Sequence, residues 1–308
     1  MAAEQADAIV ERPKTYADLQ ARPDFHPSLD QRAHALDRVL SDYHFPNNVP
    51  CGLSTCHRAH QTGFLVRTRS GLETAIGHIC GRNIFGEEVW DLAAAKYVRE
   101  RKRLDLLARA QEIQSSASSI DQAVEAVMAD RFGVRWVRDV RQAFTTLLGD
   151  GLCDDLRIAH KRRSLDVTQA RERSAADMDR LAEANKRHRE AFRTETIVVG
   201  HLSSAEWLAF EFTRTLRDEL QAELKDFLGV NPALLPTPSL RQRLKKFDGW
   251  EKRISDARAA ARTAVEFLDE GNLGLLVWWI PDRLEARRQT LRLWIGSAAH
   301  TALLQGRS

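Results

Sequence analysis

Cys51, Cys56 and Cys80 lie in one short stretch, CGLSTCHRAHQTGFLVRTRSGLETAIGHICGRNIFG (51–86), with His57, His60 and His78, and only Cys153 stands elsewhere. Thiolates and imidazoles at such spacing are the ligands of a tetrahedral zinc ion, held at about 2.0–2.3 Å. Cys51-x4-Cys56 puts two thiols on one turn, and Cys80 follows a second turn that opens a helix. The expected ligand set is Cys51, Cys56, His60 and Cys80, with His57 and His78 as alternatives according to which side of each turn faces inward. The ion so held is expected to be structural.

The elements that must position these ligands are readable around them. Phe64, Val66 and Thr68 alternate with Leu65, Arg67 and Arg69. Leu72, Thr74 and Ile76 alternate again after Ser70-Gly71. Two alternating runs about a Gly-containing turn predict a β-hairpin, which would fold the two ligand groups together. Gly81 and Gly86 permit close backbone approach and a helix entry, whose positive end would favour a thiolate at Cys80. This hairpin is the one β-structure that alternation marks in the chain.

The pattern Cys-x4-Cys-x3-His, then GFLVRTRSGLET, then IGHICGRNIFG resembles zinc-ribbon-like or treble-clef-like modules of phage and prophage proteins. The resemblance covers residues 51–86 alone. It implies an ion that mainly holds a small fold together, and a phage or prophage context for the chain.

Catalytic zinc needs an open coordination position and a nearby general base. There is no HExxH, and no H-x-E with a P-C-x-x-C, so a zinc enzyme lacks its usual signatures. Glu73, Glu87 and Glu88 are the nearest carboxylates, and the last two open a helix, where acids are expected in any case. No catalytic residue is assigned and an enzyme is not expected. A zinc-dependent hydrolase, or a nuclease of the His-Asn-His type, is the third reading of function.

Elsewhere the chain reads as helical. A polar, Pro-containing arm (1–29) includes one short helix near Tyr16–Ala21. Asp30 can cap a helix to about Ser41, with Ala33, Leu36, Val39 and Leu40 as its apolar stripe. HFPNNVP (44–50) then breaks it. No proline occurs between Cys51 and Asn231. That favours long helices at about 87–114, 119–130, 134–148, 152–193 and 203–228, followed by 239–269 and 282–304. Val167, Met178, Leu181, His188 and Phe192 fall near heptad positions in the fourth of these. Ile197-Val198-Val199-Gly200 is a buried linker or short strand, and NPALLPTPS (231–239) a connector. The fold class expected is mainly α: an elongated helical bundle with coiled-coil-like hairpins and one small zinc-stabilised β-hairpin module. The segments divide as 1–50 (arm and short helix), 51–90 (zinc module), 91–230 (long helices) and 231–308 (Trp-rich helical region).

Hydrophobic content of 43% supports a core, and charge of 29% leaves a formal net of only +3. That balance excludes an acidic nucleic-acid mimic. Clusters matter more than the total. Arg67 and Arg69 on the hairpin, Arg162 and Arg163, and Lys245 and Lys246 are candidate contacts to nucleic acid or another partner. A weaker strip is Arg131, Arg135, Arg138 and Arg141. The longest apolar run, Leu273–Ile280, is too short to span a bilayer, and the first residues carry no apolar signal core. A cytoplasmic location is expected. The first reading of function is a non-enzymatic accessory protein of phage or prophage type that binds a host or phage protein and can oligomerise through its long helices. The second is a DNA- or RNA-binding protein that uses the basic zinc module and helices.

Overall fold

The structure, a computed structural model, describes residues 9–30 and 32–306; residues 1–8 of the expected arm lie outside them. The chain divides into two compact units, residues 1–112 with 232–241, and residues 113–231 with 242–308. Helices dominate both the element order and the length of the chain.

The first unit is built on an antiparallel sheet. Its short helix α1 (Tyr16–Gln20) forms where expected, closed by a capping box between Thr15 and Asp18. Strands β1 (Leu36–Pro50), β2 (Ala59–Thr68) and β3 (Glu73–Ile76) follow, in the order β1-β2-β3. The β2–β3 hairpin pairs Phe64 with Ile76 and Arg67 with Glu73, as the alternation predicts. Helix α2 (His78–Phe85) and the long helix α3 (Glu87–Ala129) complete the run.

The helix expected over 30–41 does not form among the described residues, and a strand begins at Leu36 instead. Leu36, Val39, Leu40 and Tyr43 have helical spacing, but β1 carries register shifts at Leu36/Arg38 and Val39/Ser41. Each bulge adds a residue and re-aims the side chains after it. Val39 therefore joins one core cluster with Cys51, Val66, Ile76 and Trp90. Leu40 joins the other with Leu19, Tyr43, Phe45 and Leu65. A sheet buried on both faces mimics the stripe of an amphipathic helix. The third register shift, between His44 and Val49, absorbs the Pro-Asn-Asn segment within the strand.

In the second unit, α4 (Val134–Leu148) matches its expected bounds and α5 (Asp150–Lys161) follows it. The long helix expected at 152–193 does not form. Arg163 takes a left-handed φ of 55°, which ends the helix. Strand β4 (Asp166–Glu172), α6 (Ala175–Asn185), a 3₁₀ turn (Arg189–Phe192) and β5 (Thr194–His201) succeed it. β4 pairs antiparallel with β5, so Ile197–Gly200 is strand and the hairpin at 64–76 is not the only β-structure. A heptad seam over 152–193 is thus replaced by two strands that bury Val167, on β4.

Helix boundaries move elsewhere too. The two helices expected over 87–130 are one, α3. The polar QSSASS segment holds no Gly or Pro to interrupt it, while Ile113, Ala117, Ile120 and Val124 are buried along it. The single helix expected at 203–228 is α7 (Glu206–Ala209), a π-helix (Arg214–Gln221) and α8 (Ala222–Leu228). Later come α9 (Thr237–Lys245), α10 (Trp250–Phe267), α11 (Glu270–Trp279), α12 (Glu285–Trp294) and α13 (Ala298–Leu304). Gly249 and Gly296, at φ 64° and 74°, divide the expected helices 239–269 and 282–304. Phe144, Trp207 and Phe267 form a buried edge-to-face triad, with centroids 5.6–5.9 Å apart. Among the described residues no helix is long and apolar enough to cross a membrane.

Candidate metal centre

The sheet brings three of the expected ligands together. Cys51 follows the last residue of β1, Cys56 sits on the turn between β1 and β2, and Cys80 lies in the first turn of α2. Their Sγ atoms all lie within 4.8 Å of one another, and among the described residues this is the one group of His, Cys, Asp and Glu so placed. Cys56 and Cys80 approach to 3.2 Å, and all three are free thiols. Thiolates at about 2.3 Å around a tetrahedral zinc stand roughly 3.8 Å apart, so modest side-chain adjustment suits this triad to an ion.

Local sequence builds the turn. The Cys51 N–H donates to Arg58 O at 3.0 Å, closing residues 51–58. The Cys56 N–H donates to Leu53 O at 2.9 Å. Gly52 donates to Ala75 O at 2.7 Å and ties the turn to β3. A Cβ on Gly52 would fall 2.0 Å from Thr74 Oγ1, so the approach requires glycine. Gly81 plays the same part for α2, where a Cβ would fall 2.6 Å from the Trp90 ring. Arg82, with Asp91 at 2.7 Å, braces α2 against the start of α3.

The three thiols differ electrostatically. Burial pushes the Cys80 thiol up to about 12, helped by hydrogen bonding to Cys56 and the nearby sulfur charges. Burial thus opposes the thiolate that the helix entrance is expected to favour. Burial also raises Cys51, against the opposing N–H groups of Leu53 and Gly77. At Cys56 burial works upward too, but the Arg58 N–H and the thiol donors of Cys80 and Cys51 prevail and lower it. Three such sulfurs cannot all ionise side by side without a cation, and a bound metal would supply that charge.

The histidines stand apart from the triad. The His60 Nδ1–H donates to Arg58 O at 3.2 Å, which leaves Nε2 to accept from the Tyr43 hydroxyl at 2.6 Å. His78 Nδ1 accepts from Trp90 Nε1 at 3.2 Å, so its proton sits on Nε2. His57 is exposed, with a left-handed φ of 49°. The sequence does not signal these partners, because Tyr43 and Trp90 are contributed by β1 and α3.

The basic candidates occupy separate elements. Arg67 faces Asp24 at 3.6 Å, while Arg69 is exposed just beyond β2. Arg162 caps α5 and Arg163 follows it; both are exposed. Lys245 ends α9, and Lys246 pairs with Glu223 at 2.6 Å. Of the tryptophans, Trp90 and Trp207 are fully buried and Trp278 is about half exposed.

Comparison of the chain with family models, curated proteins and solved structures gave no match.

Proposed function

We propose that Cys51, Cys56 and Cys80 hold a structural zinc ion, and that the protein acts by binding a second protein rather than by catalysis. The observation that carries the metal reading is the convergence of three thiols from a turn and a helix start on one point. All-sulfur donors favour zinc over hard cations such as magnesium or calcium. The order turn, hairpin, helix supports the treble-clef-like likeness, and in such a layout the ion staples the hairpin to α2. With His60 and His78 engaged at the nitrogens described, the fourth coordination place falls to His57 or to a water. Zinc in excess at a thousand times its Kd would add about 4 kcal/mol to the folded state.

The partner reading rests on the outer side of this module. Cys80, Ile84 and Phe85 pack against the core, whereas Ile79, Val89 and Leu92 are 66%, 51% and 66% exposed. Large apolar side chains in water beside a rigid centre suit a protein interface. The phage or prophage setting rests on the sequence resemblance alone.

Metal analysis of protein purified without a histidine tag tests the first part. About one zinc per chain is expected, lost in Cys51→Ser and Cys80→Ser; a metal-free wild type overturns it. The second part predicts a companion captured from bacterial lysate after nuclease treatment. It should be lost in Ile79→Asp with Leu92→Asp. Capture that survives this double substitution, or that nuclease abolishes, refutes the assignment.

A further inference from the structure

The second unit carries a groove that the metal module does not involve. It has a cavity of about 190 Å³ between the end of α3, helix α4 and the segment that enters the π-helix. Arg135, Arg138 and Arg141 line it from α4, and Arg217 from the π-helix, with Phe212 and Thr213 beside them. No Asp or Glu lines it.

The charges in the groove are poorly compensated. Arg135 reaches Glu125 only at 3.6 Å and Arg138 reaches Asp139 only at 3.4 Å. Charge-assisted pairs normally close to about 2.7–2.9 Å. Arg217 makes no ion pair among the described residues. Arg141 spends its Nη2 on backbone carbonyls, those of Trp207 and, at 2.8 Å, Phe210. Its guanidinium also lies 5.4 Å from the Phe212 ring, and its buried Nε has no hydrogen-bond partner. Burial depresses its basicity, with Glu211 acting the other way and Arg157 adding to the depression. Carbonyls and a ring face hold a cation in place without cancelling its charge. Four arginines line the groove with no carboxylate among its lining residues, a setting that attracts an anion.

Size and donor geometry narrow the ligand. The cavity is large enough for a tetrahedral oxyanion group, and guanidinium forks match phosphoryl oxygens two at a time. Thr213, which also lines the groove, carries a hydroxyl that could serve as a neutral donor. Arg217 is offered by a π-helix of eight residues, and such segments are rare and concentrate at functional sites.

We infer that the groove lined by Arg135, Arg138, Arg141 and Arg217 binds a phosphoryl group. Arg138 and Arg217 clamp it, and Arg141 supplies a fixed positive floor. The group comes either from a small phosphate ester or from a nucleic-acid backbone.

Calorimetric titration of the full chain with inorganic phosphate, then with a single-stranded oligonucleotide, both at low ionic strength, tests this. Saturable phosphate binding is expected. It should weaken at least about tenfold in Arg138→Gln with Arg217→Gln and recover in part with lysine at both positions. Arg99→Gln, exposed on α3 in the other unit, should leave it unchanged. If circular dichroism shows that the double variant is unfolded, the exposed Arg217→Gln alone carries the comparison. Oligonucleotide binding lost in the same variant assigns the backbone as the source, and binding of phosphate alone assigns a small ester. No saturable binding of either probe, or binding within twofold of wild type in the folded variants, overturns the inference.

Discussion

At the residue scale the cysteines and histidines near residue 60 separate into different jobs. Sulfur converges and imidazole braces. His60→Ala should therefore keep bound zinc, while removing the acceptor of the Tyr43 hydroxyl costs about 1–3 kcal/mol. Zinc content and urea unfolding of the same variant check both halves. Zinc lost in His60→Ala would place His60 back among the ligands. Asp42 offers a second prediction. Burial raises its carboxyl, but Arg12 at 2.8 Å and the Tyr97 hydroxyl outweigh that and hold it below the usual carboxylate value. A group depressed in the folded state contributes stability above its unfolded value and loses it as pH falls through the folded one. Asp42→Asn should flatten the loss of stability between about pH 4 and pH 2, read from thermal melts across that range.

At the element scale the deciding features are close approaches and bulges. Gly81 lets α2 lie against Trp90, and the backbone would fix an alanine Cβ 2.6 Å from the ring. Gly81→Ala should destabilise the protein by about 1–3 kcal/mol, with near-ultraviolet dichroism of Trp90 altered. In β1, Leu40 is 1% exposed and faces the cluster opposite the one that holds Cys51. Leu40→Ala should cost about 2–5 kcal/mol in urea unfolding, because strand rather than helix buries it fully. The hairpin was legible since its period of two is unambiguous and its turn carries Ser70-Gly71. β1 was not, since bulges turn a period-two strand into spacings of three and four. The β4–β5 pair was hidden for another reason. Residues 173–193 separate its strands, with Glu172 paired with Thr194 and the Arg173 N–H donating to Arg193 O, and each strand is largely exposed, so neither shows an apolar alternation.

At the scale of the whole molecule, the two units should respond differently to loss of metal. Chelation should raise hydrogen exchange in residues 36–85, which the proposed ion would staple, and leave residues 134–148 protected, since their core rests on Phe144, Trp207 and Phe267. Equal deprotection of both segments would show that the ion supports more than its own module. Sequence alone determined the helical majority, the β2–β3 hairpin and the cysteine-rich segment, because residue type, period and proline placement are local properties. Which cysteines meet, which histidines are diverted to Tyr43 and Trp90, and how arginines from α4 and the π-helix come to share one groove were decided only by tertiary structure. Each depends on side chains far apart in the chain, brought together by a sheet register and by helix packing that no local pattern encodes.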